Sequence, residues 1–162
     1  MKRKKILNIA IVGLGNIGSY LYNYLKKNKK IISKKNNCIP NIVFVSAKNR
    51  NKKRNIRLNK TIWLKNYLDA TKSENVDIIV ELIGGSEGAA KNLVFKALKN
   101  KKHVVTANKA LIAKYGDELS KIAEKNNVNL EFEAAVCGGV PIIRSLKEGL
   151  IANKISKVYG IF

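Results

Sequence analysis

A chain of 162 residues, 46% apolar and 7% aromatic, is long enough for one domain with a core and too apolar to stay disordered. No apolar run reaches the roughly 18 residues of a membrane span, and two cysteines, Cys38 and Cys137, make no disulfide framework, so a cytoplasmic protein is expected. The net charge of +21 is lopsided: residues 1–68 hold 18 Lys or Arg and no carboxylate, and all 11 acidic residues lie from Asp69 onward.

In chain order, Leu7 to Val12 reads as a buried strand, and Asn16 to Lys27 as a helix with Ile17, Tyr20, Leu21, Tyr24 and Leu25 at helical spacing. The apolar stretch Ile6 to Leu14 follows a basic start, but Asn8 interrupts it and glycines follow, so it does not read as a signal peptide. Asn41 to Ser46 is a second strand, Ala47 to Lys60 a polar loop and Trp63 to Ala70 a short helix. Asp77 to Ile83 is a third strand, Gly88 to Asn100 a helix, His103 to Thr106 a fourth strand and Lys109 to Asn126 a helix. Asn129 to Ala134 is a fifth strand, Pro141 to Leu150 a helix with proline near its first turn, and Ile155 to Phe162 a sixth strand or the start of one. Strands alternating with helices imply right-handed crossovers. Continuous apolar runs such as Ile78-Ile79-Val80 imply burial on both faces. The expectation is an α/β fold, a doubly wound parallel sheet of the Rossmann type with about six strands in the order 3-2-1-4-5-6, spanning 1–162 as a single domain.

A basic field of this size attracts polyanions, which brings nucleic acid into consideration. Composition offers a plainer source. Lys, Asn and Ile supply 67 of the 162 residues and share AT-rich codons. No stacking, zinc-finger or helix-turn-helix pattern accompanies the charge, so nucleic acid is not the expected partner.

Gly13-Leu14-Gly15-Asn16-Ile17-Gly18 stands where the first strand turns into the first helix. In such a turn, Gly13 allows the sharp bend, Gly15 admits a pyrophosphate to the backbone and Gly18 allows close helix–strand packing. Free N–H groups and the positive helix end then hold phosphate. Sites that prefer NAD carry an acidic residue near the end of the second strand, and no carboxylate precedes Asp69 here. Beyond Ser46 come Lys48, Arg50, Lys52, Lys53 and Arg54, cations suited to a 2′-phosphate. NADP is the expected cofactor, with NAD the alternative.

Three further stretches carry a resemblance. Val80-Glu81-Leu82-Ile83-Gly84-Gly85, then Val104 to Ala113 (VVTANKALIA), then Phe132 to Arg144 (FEAAVCGGVPIIR) are similar, in order and spacing, to successive signatures of homoserine dehydrogenases. That family interconverts L-homoserine and L-aspartate 4-semialdehyde with NAD(P)H, on the route to threonine, methionine and isoleucine. The resemblance covers nearly the whole chain. It implies Leu14, Asn16 and Ile17 in the cofactor turn, and Thr106 and Lys109 at the edge of cofactor and active site, with Lys109 as the catalytic candidate orienting a carboxylate or assisting proton movement. It also implies a monovalent cation such as sodium on Glu133, Val136, Gly138 and Val140; from the residues alone this is only a glycine-rich loop with one acid, and a local cap or pairing by Glu133 is the alternative.

Members of the family continue into a region that binds the amino-acid substrate and forms the dimer. The chain is expected to stop before that region, so the remaining catalytic residues fall beyond Phe162, and a homo-oligomer is expected only where that region is present. The alternatives are a non-catalytic dinucleotide-binding module or remnant, and a semialdehyde dehydrogenase using Cys137 as nucleophile. The latter lacks a partner base, because His103 is the only histidine and begins a strand.

Overall fold

The computed structural model describes residues 4–160. The first strand, β1 (Lys5–Val12), leads into α1 (Asn16–Lys27), followed by α2 (Lys29–Asn36) and β2 (Cys38–Ser46). After a long loop come β3 (Ile62–Trp63), α3 (Asp69–Lys72), β4 (Ile78–Glu81), α4 (Ala89–Lys99), β5 (His103–Thr106), α5 (Lys109–Lys125) and β6 (Leu130–Glu131). A one-turn 3-10 helix (Glu133–Ala135) and a short α6 (Ile142–Arg144), continued by a wider π-type turn, follow. All five strand pairings are parallel, in the order β3-β2-β1-β4-β5-β6.

The sheet is wound on both faces because its central strands carry continuous apolar runs, Ile9 to Val12 in β1 and Ile78 to Val80 in β4. Ile9 and Ile11 of β1 pack with Tyr22, Ile42, Val45 and Val80 on the α1 side. Ala10 and Val12 point the other way, into a larger core with Ile79, Leu93, Leu98, Val104, Leu111 and Leu119. Alternate residues of a strand face opposite sides, so each strand serves both cores.

Register places one row of residues at the carboxyl end of the sheet. Val12 pairs with Ser46 on one side and Glu81 on the other, and Glu81 pairs with Thr106. An extra residue in β2 opposite Ile9/Ala10, a bulge, brings Ser46 into this row.

Several expectations are corrected. Trp63 to Ala70 is not a helix: Ile62 and Trp63 pair with Phe44 and Val45, and only Asp69–Lys72 is helical. This two-residue strand takes third place, so Asp77 to Ile83 supplies the fourth strand, beside β1, and Asn129 to Ala134 supplies the sixth, shortened to Leu130–Glu131. Ile155 to Gly160 is exposed and without regular structure, and Ile161 and Phe162 of that expected strand lie outside the described residues. The expected helix Pro141 to Leu150 is helical only over Ile142–Arg144 before the π-type turn. The helix α2 has no buried residue and no counterpart in the sequence reading. No helix among the described residues is long and apolar enough to cross a membrane.

Candidate dinucleotide site

The turn after β1 is built from backbone. Gly13 takes φ +104, a left-handed conformation that side chains resist, and its N–H donates to the Ser46 carbonyl at 2.8 Å. A Cβ on Gly13 would lie 2.3 Å from the Leu82 carbonyl, and one on Gly18 would lie 1.9 Å from the Gly13 carbonyl, so both glycines are required by packing. Gly15 differs: nothing lies within 4 Å of its Cβ position. It faces open space, as a backbone meeting a ligand must.

Helix α1 starts without a side-chain cap and without an acid in its first turn. Its first ring closes at Ser19 N–H to Gly15 O, 2.9 Å, and the N–H groups of Gly15, Asn16, Ile17 and Gly18 donate to no acceptor among the described residues. These orphan donors and the helix dipole converge on the space above Gly15.

From that turn a groove of about 550 Å³ runs across the carboxyl ends of β1 and β2, lined on one side by Val12 to Gly15 and Leu82, Ile83 and Ala89. On its other side stand Ser46, Ala47, Lys48, Asn49, Lys52, Arg54, Lys65 and Tyr67. Four of the lining residues are cations and none is an acid. Among the cations singled out from the sequence, Lys48, Lys52 and Arg54 line the groove and Arg50 and Lys53 do not; Arg50 is exposed elsewhere on the loop. Lys65, which the sequence does not single out, lines it as well.

The basic loop is fixed to the turn. Arg54 donates from Nε to the Leu14 carbonyl at 2.8 Å and lies over the Trp63 ring at 5.4 Å. Asn23 donates to the Asn55 carbonyl at 2.7 Å, and the hydroxyl of buried Tyr22 reaches the Arg57 carbonyl at 2.9 Å. No local pattern announces these contacts, which join residues 32 to 40 positions apart.

Beyond the groove, the carboxyl ends of β4 and β5 hold a buried polar network. Glu81 is fully buried; its Oε1 accepts from the N–H groups of Ile83 (2.6 Å) and Gly84 (3.3 Å), and its Oε2 accepts from the Thr106 hydroxyl at 2.5 Å. Thr106 Oγ1 accepts in turn from Asn108 N–H at 3.0 Å. Asn108 caps α5 by accepting from Leu111 N–H, and donates from Nδ2 to the Gly85 carbonyl at 2.6 Å. Lys109 follows, exposed on the first turn of α5, and its ammonium makes no hydrogen bond or ion pair among the described residues.

On the outer rim, Glu87 accepts from Lys114 at 2.6 Å, from Lys91 at 3.4 Å and from the Tyr115 hydroxyl. The hydrogen bond from Lys114, then that from Tyr115, holds its carboxyl down from 4.5 to about 2.

The stretch Glu133 to Val140 is arranged as a turn. Glu133 caps α6, accepting from Ile143 N–H at 3.0 Å and Arg144 N–H at 2.9 Å. Cys137 and Gly138 both take positive φ, and the carbonyls of Val136 and Gly138 accept no hydrogen bond among the described residues, whereas that of Val140 accepts from Ile142 N–H. No cluster of three His, Cys, Asp or Glu that could hold a metal occurs among the described residues. Cys137 is exposed.

Residues 13–133 match the family model described as homoserine dehydrogenase, NAD binding domain. The homoserine dehydrogenase of Neisseria gonorrhoeae is 42% identical over 157 residues, covering 97% of this chain and 36% of that protein. That of Bacillus subtilis is 39% identical, with the same shares. The crystal structure of a homoserine dehydrogenase from Thiobacillus denitrificans superposes with a TM-score of 0.82 at 38% identity, over 94% of this chain and 35% of that one. The chain thus spans little more than a third of the length of the relatives it matches. On the strength of the model match and these identities, the chain belongs to the homoserine dehydrogenase family and corresponds to its NAD-binding domain.

Proposed function

We propose that this chain is the cofactor-binding portion of an oxidoreductase that interconverts L-homoserine and L-aspartate 4-semialdehyde, and that it prefers NADP to NAD. The observation that carries the reading is the open Gly15 beneath four orphan N–H groups, an anion cradle at a strand-to-helix turn. The preference rests on the groove wall: Lys48, Lys52, Arg54 and Lys65 line it with no carboxylate to hold ribose hydroxyls. Gly13, Leu14, Gly15, Asn16, Ile17 and Gly18 bind the diphosphate, and Lys48 faces the 2′-phosphate. When bound, the nicotinamide would carry the hydride, giving it to the aldehyde in reduction and taking it from homoserine in oxidation. Thr106 and Lys109 stand at the carboxyl end of β5, the side on which open α/β sheets bind ligands, and Lys109 orients the substrate or moves its proton.

Oxygen donors suited to a monovalent cation such as sodium lie in the 133–140 turn: the carbonyls of Val136, Gly138 and Val140 with the Glu133 carboxylate. Glu133 already caps α6 through both oxygens, so cation binding there enlists its remaining lone pairs. The substrate partner is a small amino acid, the cytoplasm is the setting that fits, and a homo-oligomer belongs to the longer protein of the family.

Calorimetric titration of the chain with NADPH and NADH tests the proposal. Binding of NADPH at least about tenfold tighter than NADH is expected. Binding of neither overturns the function, and tighter NADH binding overturns the preference. These 162 residues alone are expected to turn over little substrate, so a homoserine oxidation assay of a longer chain that joins them to a substrate region separates the enzyme from a non-catalytic dinucleotide-binding module.

A further inference from the structure

The buried carboxylate of Glu81 has no part in the diphosphate cradle, yet it is the only acidic side chain that is fully buried among the described residues. Burying a carboxylate is costly unless hydrogen bonds replace its hydration. Here three donors do so, and two of them are successive N–H groups of a single loop, Ile83 and Gly84. That loop, Ile83 to Gly88, contains three glycines at positive φ (Gly84 +87, Gly85 +77, Gly88 +65), none with anything within 4 Å of its Cβ position. It is therefore a stretch of bare backbone in a conformation that chains adopt reluctantly, presented to open space. It is held at both ends of its first half. Glu81 grips Ile83 and Gly84, and Asn108 grips the Gly85 carbonyl. Thr106 joins the two grips, donating to Glu81 and accepting from Asn108 N–H.

We propose that Glu81 and Asn108 are positioning residues that clamp the Ile83–Gly85 backbone as the bed for the nicotinamide half of the cofactor. The inference rests on the function proposed above. A dinucleotide spans the point where strand order reverses, which in this sheet is between β1 and β4. With the adenosine half in the basic groove over β1 and β2, the other half extends over β4 and β5, where this loop lies. Ile83 lines the near end of the groove, so the loop is continuous with it. The two halves of the cofactor are thus served by separate structures: the cradle and basic loop for one, the carboxylate-held loop for the other.

Two probes separate these halves: NADPH, and 2′,5′-ADP, which lacks the nicotinamide. Glu81→Gln keeps a carbonyl oxygen for the loop N–H groups but cannot accept the Thr106 hydroxyl through its amide nitrogen. Asn108→Asp keeps the α5 cap and loses the donor to Gly85. Each variant is expected to bind NADPH at least about tenfold more weakly while its affinity for 2′,5′-ADP stays within about twofold of the unsubstituted chain. Asn108→Asp keeps the test decisive should the Glu81 variant fail to fold. Equal weakening for both probes, or unchanged NADPH binding in a folded variant, overturns the positioning role. Failure of the unsubstituted chain to bind either probe overturns the proposed function and this inference with it.

Discussion

Arg54 anchors the cofactor turn: its Nε donates to the carbonyl of Leu14, 40 residues earlier, while its guanidinium lies over the Trp63 ring. The bond leaves the turn's N–H groups free, because it uses an acceptor rather than a donor. It also fixes where the basic loop stands relative to the cradle. Arg54→Ala is expected to cost about 1–2 kcal/mol of NADPH binding by releasing both contacts. Arg54→Lys should not restore it, since an ammonium cannot donate sideways to Leu14 while stacking on the indole. Titration calorimetry of the two variants checks this.

Gly15 and Gly18 should respond in opposite ways to the same methyl group. Gly18→Ala drives a Cβ to 1.9 Å from the Gly13 carbonyl and is expected to lose more than about 2 kcal/mol of stability in urea unfolding. At Gly15, with φ −75 and empty surroundings, alanine should shift stability by less than about 0.5 kcal/mol. Its methyl group instead occupies the space of the diphosphate, and cofactor binding should fall at least about tenfold.

Reversal of one charge tests the basic wall. Lys48→Glu is expected to weaken NADPH binding about tenfold or more and NADH binding by less than about threefold, because only the 2′-phosphate meets the new carboxylate at close range. Equal losses for the two nucleotides would remove Lys48 from the phosphate site.

Glu87 makes acid stability sensitive to pH. Its carboxyl is held at about 2 in the folded chain against an ordinary 4.5, chiefly by Lys114 and Tyr115. A depressed carboxyl leaves the native state with fewer bound protons than the unfolded state between those values, so its contribution is whole above about 4.5 and is lost as pH falls toward 2. Glu87→Gln should flatten the fall of the thermal midpoint across that window. The cluster is exposed, so salt should have the same effect.

Elements with a strong period or a bounded apolar run were legible from the residues: Asn16–Lys27 and His103–Thr106 occur as expected, and the glycine turn lies at its expected junction. Ile62–Trp63 was not legible, because two residues carry no period and become a strand only by pairing with Phe44 and Val45. Helix α2 (KKIISKKN) shows no apolar stripe to betray it. On α1 the stripe misled in part: Ile17, Tyr20 and Tyr24 are exposed, and the helix buries Gly18 and Tyr22. At the site, the cradle could be foreseen because its chemistry is local. The anchoring of Arg54 on Leu14, the place of Lys65 in the groove and the loop contacts of Glu81 could not, since each depends on the assembled sheet. Glu81 left one trace, a lone carboxylate ending an apolar strand.

The shortest strands sit at the two outer margins of the sheet, β3 and β6, with two residues each. An unpaired strand border is a template on which a second chain can add a strand, and the risk grows with its length. Two residues give an incoming segment too few ladder bonds to dock. A chain whose interior strands read IAIV and IIVE, both rich in aggregation-prone residues, is thereby shielded from polymerising through its sheet at either flank.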